Sequence, residues 1–572
     1  MASREQKIRY AQVHDELASK LYAAGVLGII ALITSFRLLR FLTRRYAPDS
    51  LKTSALARVQ ATIYRFFQKA LIRRIPGFTS AGHALIVLAY LAINLSLTLT
   101  NIDWSSRVGL AKRCGWMAYT NMALIVFLAL KNTPLAFMTA TSYERINCLH
   151  QIGGYTTVAF VILHAALMAD FFVGYHTEIL LEHEQIVGMV AGAAMIIIGA
   201  SALALKKLRY EIFYIVHITM FLTIIVTLGF HRPDFGLKAV YVIIFTACVW
   251  VADRLIRSIR VLWHSYGNRA IVTPLAHAGT RITLKKTSSS RIAAGSHCFV
   301  WIPAIRAFET HPFTIASSTV DSIELVVAAQ DGFTKDLHSY ARKNPGALLR
   351  ASFHGPYGTT PDFSKVAERV VLIAGGSGAS FTFGIALSII ERLAANSPKK
   401  VDFIWVVRDR ESISWHEKEL AQLQSSPLIN LILHASRIGI DDSPSEPTSP
   451  ISPTDSEKSN AETALSNAST VVSASSEKQH LPSLDVEKYP AIQAHELSAR
   501  SRTWRILPGR PDVKYLIEHA VADATKDGSR RVAIVACGPE ALMRTVRRTT
   551  ADCITVSGTG PSISLHSEQF GW

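Results

Sequence analysis

The sequence is poor in charge and has no organised cysteine pattern. Asp, Glu, Lys and Arg make up 18% of its 572 residues, against about 25% in soluble domains. Hydrophobic residues reach 49%, which excludes a disordered chain and argues against a purely soluble one. The six cysteines, Cys114, Cys148, Cys248, Cys298, Cys537 and Cys553, lie far apart. With no CxxC pair and no disulfide spacing, neither a cysteine zinc site nor a disulfide framework is expected. The first 20 residues lack the apolar core of a cleavable signal peptide, so the first hydrophobic segment should remain as an anchor. The net charge is +17, yet no basic patch with interleaved aromatics argues for nucleic acid. The length allows three or four domains of about 150 residues.

What is present is a series of long apolar runs. Seven candidate spans cover roughly 21–42, 81–100, 117–138, 149–173, 185–205, 212–231 and 237–256, and none follows residue 256. Orientation follows from Lys and Arg. Arg44, Arg45, Lys52, Arg58, Arg65, Lys69, Arg73 and Arg74 lie between the first two spans, and Lys206, Lys207 and Arg209 precede the sixth. The loop 174–184 has no Lys or Arg but holds Glu178, Glu182 and Glu184. The positive-inside rule then puts the C-terminal half in the cytosol and the N-terminus outside. Loop 101–114, with Arg107, Lys112 and Arg113, fits this less well.

Four histidines fall within the spans. His150 and His164 lie in the fourth, His217 and His231 in the sixth, each pair 14 positions apart. Fourteen helical residues advance about 21 Å in about 3.9 turns, so each pair shares one helix face at two depths. Ionisable residues inside a bilayer are rare and usually functional. Facing imidazoles hold a haem iron axially, and two layers would stack two haems across the hydrocarbon. With both axial positions filled, such irons suit electron transfer. The plain alternative, polar residues satisfied within a bundle, does not account for the equal spacing. His83 has no spaced partner and is read as structural.

Beyond 268 the pattern changes to short alternating runs, 269–275, 281–287, 297–302, 323–329 and 348–353, which predict an antiparallel barrel. It contains His311-Pro312-Phe313-Thr314-Ile315-Ala316-Ser317, a flat ring between hydroxyls, and Gly332-Phe333-Thr334-Lys335, which offers donors to a phosphate. From about 369 strands alternate with helices. The strand 370–374 runs into Gly375-Gly376-Ser377-Gly378 and a helix to about 395, a phosphate-binding arrangement. Further strands are 401–407, 428–435 and 532–536, the last leading into Cys537-Gly538-Pro539-Glu540. The Ser-, Thr- and Pro-rich stretch 438–485 reads as a disordered insertion.

The paired histidines, HPFTIAS, GPYG (355–358), GGSGAS and CGPE, in this order, resemble the ferric reductase and NADPH oxidase superfamily, and fungal ferric-chelate reductases most. The resemblance implies a multi-pass helical membrane domain of about seven helices joined to a ferredoxin-reductase-like module. Its parts would be an N-terminal extracytoplasmic segment (1–20), a first membrane helix with a basic cytosolic loop (21–80) and a haem domain (81–260). An FAD-binding β-barrel (268–360) and an NADPH-binding α/β domain (369–572) would follow. His150, His164, His217 and His231 would ligate two b-type haems as the pairs His150/His217 and His164/His231. His311, Pro312, Phe313, Thr314, Ser317, Thr334 and the terminal Trp572 would contact FAD. Gly355, Pro356, Tyr357, Gly358, Gly375, Gly376, Ser377, Gly378, Cys537, Gly538 and Pro539 would shape the NADPH site. Arg510, joined by Arg437, would meet a 2′-phosphate through charge-assisted bonds, unless both belong to an ordinary solvated face. The implied activity is electron transfer from cytosolic NADPH to an acceptor outside. Fe(III) chelates and other metal ions such as Cu(II) come first as acceptors, with oxygen as the oxidase alternative. A non-catalytic membrane protein of the same fold is the third reading. The plasma membrane is the expected location, with vacuolar and endoplasmic reticulum membranes open. The outer-loop residues His176, Glu178, Glu182, His183 and Glu184 have no fixed metal-ligand spacing.

Overall fold

A computed structural model describes residues 4–46, 55–102, 104, 106–131, 133, 135, 138, 143–231, 237–286, 292–358, 360–394, 396–437, 504–556 and 560–568. The membrane half is built from α1 (Arg4–Tyr46), α2 (Ala55–Ile72), α3 (Ala81–Leu99), α4 (Arg107–Ala129), α5 (Tyr143–Tyr175), α6 (His183–Leu208), α7 (Tyr210–Phe230) and α8 (Leu237–Ser265). Six of these, α1, α3, α5, α6, α7 and α8, are long and apolar enough to cross a membrane.

The remaining expected span needs correction. It is placed at 117–138, whereas α4 runs from Arg107 to Ala129. The reason is its position at the centre of the bundle, where it buries Arg113, Asn121, Cys114 and Met117 among its neighbours. A helix shielded from lipid tolerates polar residues that face the bundle interior. Arg113 donates to Asp15 (2.6 Å) and to the carbonyls of Leu97, Thr100 and Asn101. Asn121 accepts from Tyr22 and Tyr90 and donates to Asn94. These bonds tie α1, α3 and α4 together. Residues 4–20, expected as a separate outer segment, are the first turns of α1. The basic stretch expected as a loop contains α2.

The second half begins as α8 leaves the membrane. Strands β1 (Arg269–Leu275), β2 (Gly279–Lys285), β3 (His297–Trp301), β4 (His311–Ser318), β5 (Ser322–Ala328), β6 (Ala347–Arg350) and β7 (Ser352–Tyr357) form one antiparallel sheet. Its order is β6-β1-β2-β5-β4-β3-β7. The strand expected over 348–353 is thus two, and HPFTIAS is itself a strand. Inward-facing Ile282, Leu284, Val300 and Leu325 make the core, with Leu337 of α9 (Phe333–Lys343).

The third unit is a parallel sheet of β8 (Arg369–Gly375), β9 (Lys400–Asp409), β10 (Ile429–Arg437), β11 (Ile506–Pro508), β12 (Arg531–Cys537) and β13 (Ser562–Glu568). The order β11-β10-β9-β8-β12-β13 leaves β8 central. Every residue of β8 is buried, as expected for a strand covered on both faces. Helices α10 (Ala379–Arg392), α11 (Glu417–Ser425), α12 (Val513–Lys526) and α13 (Glu540–Cys553) cover the sheet. Arg281 of β2 pairs with Glu324 of the neighbouring β5, and ties its domain to the next through Glu419 of α11 and the Trp415 carbonyl, to which it donates. Burial pushes the Glu419 carboxyl up, but the bonds from His416 and Arg281 outweigh it and bring it down to about 2.

Candidate active site

The histidines meet in two layers. The rings of His150 and His217 have centroids 6.2 Å apart, and those of His164 and His231 also 6.2 Å. His150 and His164 project from α5; His217 lies on α7 and His231 caps its C-terminal end. Nδ1 of His150 donates to the Ile125 carbonyl, that of His164 to Ala111 and that of His231 to Glu184, each at 2.8 Å. Those bonds leave Nε2 as the acceptor nitrogen, because neutral imidazole carries only one N–H. His217 Nδ1 has no partner among the described residues, and its ring lies against Phe213. Rings at this separation leave room between them for one metal ion bound by a nitrogen of each at about 2.0–2.1 Å. Both layers therefore have the spacing to share an ion. No group of three or more His, Cys, Asp or Glu capable of holding a metal occurs among the described residues.

Glycines make room for these rings. A Cβ on Gly188 of α6 would lie 2.5 Å from the His231 ring, and one on Gly115 of α4 would lie 3.1 Å from His164 Nδ1. A Cβ on Gly153 would lie 2.6 Å from Ile125, whose carbonyl holds His150. These glycines escape a search for chemistry-bearing residues; the signal that could have found them is a small residue facing a neighbour in an apolar helix.

The motifs of the second half fall into two neighbourhoods. On β4, the His311 ring stacks on Phe333 (4.3 Å, 16°) and its Nε2 meets Glu309 at 2.9 Å. Burial holds His311 below the ordinary histidine range, against the opposing pull of Glu309. Phe313 also approaches Phe333, and Thr314 faces His297 of β3. Gly332, at φ 72°, opens α9 with no side-chain cap, and Thr334 accepts from the Gln330 amide. The uncapped amides of such a start favour an anion. A Cβ on Gly332 would come within 3.1 Å of Glu211 at the start of α7, so this face of the antiparallel domain meets the membrane half below His217. Gly355-Pro356-Tyr357-Gly358 ends β7 beside β3: Tyr357 bonds His354 Nδ1 at 2.9 Å and lies against His297 and Phe299.

The two nucleotide turns interlock. β8 and β12 are parallel neighbours with Ala374 opposite Cys537. A Cβ on Gly378 would strike the Cys537 carbonyl at 2.5 Å, and one on Gly375 would strike Pro539 at 2.7 Å. Only glycine permits this approach. Trp405 of β9 donates to the Gly376 carbonyl and lines a cleft with Ser377, Ser380 and Arg408. Burial pushes the Cys537 thiol up to about 12, so it stays neutral. Arg437 ends β10, and Arg510 follows β11; Gly509 donates to the Ala435 carbonyl between them. Both arginines are exposed at the carboxyl edge of the sheet, where open α/β sheets bind ligands. Trp405 and Arg408 were not singled out by sequence. Trp572 and the insertion 438–485 lie outside the described residues.

A helical bundle with paired histidines, an antiparallel sheet and a parallel sheet with interlocked glycine turns together define a membrane oxidoreductase. Three families match in chain order: ferric reductase like transmembrane component over residues 114–228, FAD-binding domain over 272–361, and ferric reductase NAD binding domain over 367–551. In these three parts the chain is similar to ferric reductases. Among curated relatives, ferric/cupric reductase transmembrane component 2 of Schizosaccharomyces pombe is 25% identical over 392 residues, covering 59% of this chain and 68% of that protein. Ferric reductase transmembrane component 4 of Saccharomyces cerevisiae is 26% identical over 454 residues, covering 78% and 60%. A probable cell surface ferric reductase of Aspergillus oryzae is 25% identical over 384 residues, covering 60% and 50%. The matches thus span half to about two thirds of those relatives.

Proposed function

We propose that the chain carries electrons from cytosolic NADPH across the plasma membrane and reduces Fe(III), and also Cu(II), on the opposite side. The observation that carries this reading is the pair of 6.2 Å imidazole layers on the same two helices, with the flavin-type barrel beneath one of them. Each layer offers two protein nitrogens, so a tetradentate macrocycle suits the remaining positions, and His150/His217 and His164/His231 would each hold a b-type haem. When bound, FAD and the haems supply hydride acceptance and one-electron steps.

The residues have separate tasks. His311, Pro312, Phe313, Thr314 and Ser317 form the flavin wall, and Thr334 with the start of α9 meets the flavin phosphates. Gly375, Gly376, Ser377 and Gly378 present backbone amides to the dinucleotide phosphates, while Cys537, Gly538 and Pro539 place the nicotinamide. Gly355, Pro356, Tyr357 and Gly358 close the barrel end of that site. Arg437 and Arg510 take the 2′-phosphate, which selects NADPH over NADH. Hydride transfer needs no general base, and the neutral thiol of Cys537 supplies none.

The test supplies membranes containing the protein with NADPH and a ferric chelate. Fe(II) formation is followed with and without superoxide dismutase, and with oxygen removed. Reduction that survives both treatments is expected. Reduction abolished by both would assign the activity to superoxide and overturn direct metal reduction.

A further inference from the structure

Helix α2 stands between two membrane helices and has two opposed faces. On one, Arg65 donates to the Gly560 carbonyl, Gln68 to Ile563 and Lys69 to Ile554. Ile72 packs into the core around α13, and just beyond it Arg73 meets Asp552 and Arg74 meets Glu540 at 3.1 Å. Glu540 is the first residue of α13, directly after the Cys537-Gly538-Pro539 turn. Tyr64 is gripped by Arg40 from the cytosolic end of α1.

The other face is apolar and bare. Val59, Ile63, Phe66 and Phe67 are each more than half exposed, and Leu71 continues the row. At 100° per residue the two sets are centred roughly 180° apart. So large an apolar row is costly in water. The level of this helix is fixed by its neighbours, since α1 enters it from one span and α3, beginning nine residues after Ile72, leaves into the next. An amphipathic helix at that level buries its apolar face at the headgroup–acyl boundary.

We infer that α2 is an interfacial helix: its Val59–Phe67 row lies in the cytosolic leaflet, and its opposite face holds the nucleotide-binding sheet. The bilayer is the occupant because both chain ends of the helix are already committed to it. The sheet, and with it the turn at Cys537–Pro539, is thereby hung at a set height under the membrane. This surface does not depend on which acceptor is reduced.

The test uses the full chain in lipid nanodiscs with nitroxides at Phe66→Cys and, separately, Ile63→Cys. The labelled unsubstituted chain is the background, and Lys514→Cys, on the exposed side of α12, is the aqueous reference. Collisions with oxygen should exceed those with a water-soluble nickel chelate at 66 and 63, and the order should reverse at 514. Nickel access at 66 and 63 equal to that at 514 would overturn the proposal. Exclusion of both reagents would also overturn it, by showing a protein partner or second copy on the row. For the holding face, Lys69→Glu with Arg73→Glu should speed amide exchange over 554–568 and leave β8 unchanged; unaltered exchange there would overturn that half.

Discussion

On the proposed reading, the membrane half and the nucleotide-binding half recognise their ligands in opposite ways. In the membrane half the work falls on side chains that are present: four imidazoles, three of them fixed by one carbonyl each. In the nucleotide-binding half it falls on side chains that are missing. Gly375, Gly378 and Gly538 stand where any Cβ would collide with the facing turn. The difference follows from the solvent. Within lipid the backbone is consumed by helical hydrogen bonds, so only side chains are left to bind. At the ends of parallel strands the backbone amides are free, and they serve best where nothing covers them.

That contrast predicts that removal of a side chain is fatal within the membrane and that addition of one is damaging outside it. The largest effect is expected for His164→Ala or His217→Ala. Each should lose one haem of two, read by extracted haem per chain, with at least about a hundredfold loss of ferric reduction, given how strongly ligand loss affects metal sites. Retention of both haems in either variant would break the comparison. Next comes Gly378→Ala, where the facing carbonyl cannot withdraw. Overpacking of about 1–3 kcal/mol should raise the KM for NADPH about tenfold or more while the haem spectrum stays intact.

Gly188→Ala sharpens the contrast because it applies addition to the membrane half. The new methyl would displace the His231 ring and break its bond to Glu184, shifting the spectrum and potential of the outer layer. Gly115→Ala, with its longer 3.1 Å approach, should do less, and equal effects would contradict the geometry. Arg510→Ala, alone and with Arg437→Ala, should then cut the preference for NADPH over NADH about tenfold per arginine, since a hydrogen bond to a charged group contributes about 1.5–3 kcal/mol. The smallest effect concerns pH. Burial, helped by Lys131, Arg257, Arg260 and His264, lowers His354 from 6.5 to about 3. The folded protein therefore resists this protonation while the unfolded chain accepts it below about 6.5. Stability from the neutral ring is full above that pH and declines as pH falls toward about 3, by at most about 2 kcal/mol between pH 7 and 5. Thermal unfolding should show this slope, and His354→Gln should flatten it.

Much of this was legible because the signals were periodic or punctuated. The 14-residue spacing of the histidines placed both layers, and strand-to-glycine junctions marked Gly375–Gly378 and Cys537–Pro539. The features that were missed are those whose cause lies elsewhere in the chain. α4 reads as too polar at its start because the groups that satisfy Arg113 come from Asp15 and from the end of α3. β4 reads as a motif rather than a strand, since its Pro312 and hydroxyls break the usual alternation. β13, with three serines and a histidine, has little apolar signal and forms by pairing along β12. The room left by Gly115 and Gly188 depends on rings that arrive from α5 and the end of α7.

Arg113 has a consequence for how the protein is made. The residue is 1% exposed and its carboxylate partner comes from a helix synthesised almost a hundred residues earlier. A segment bearing that charge is costly to release alone into hydrocarbon. α4 should therefore be retained beside the insertion machinery until α1 meets it, so that the two helices enter the bilayer as one unit. Asp15→Asn would then be felt first as retention and degradation of the nascent chain, before any electron is moved.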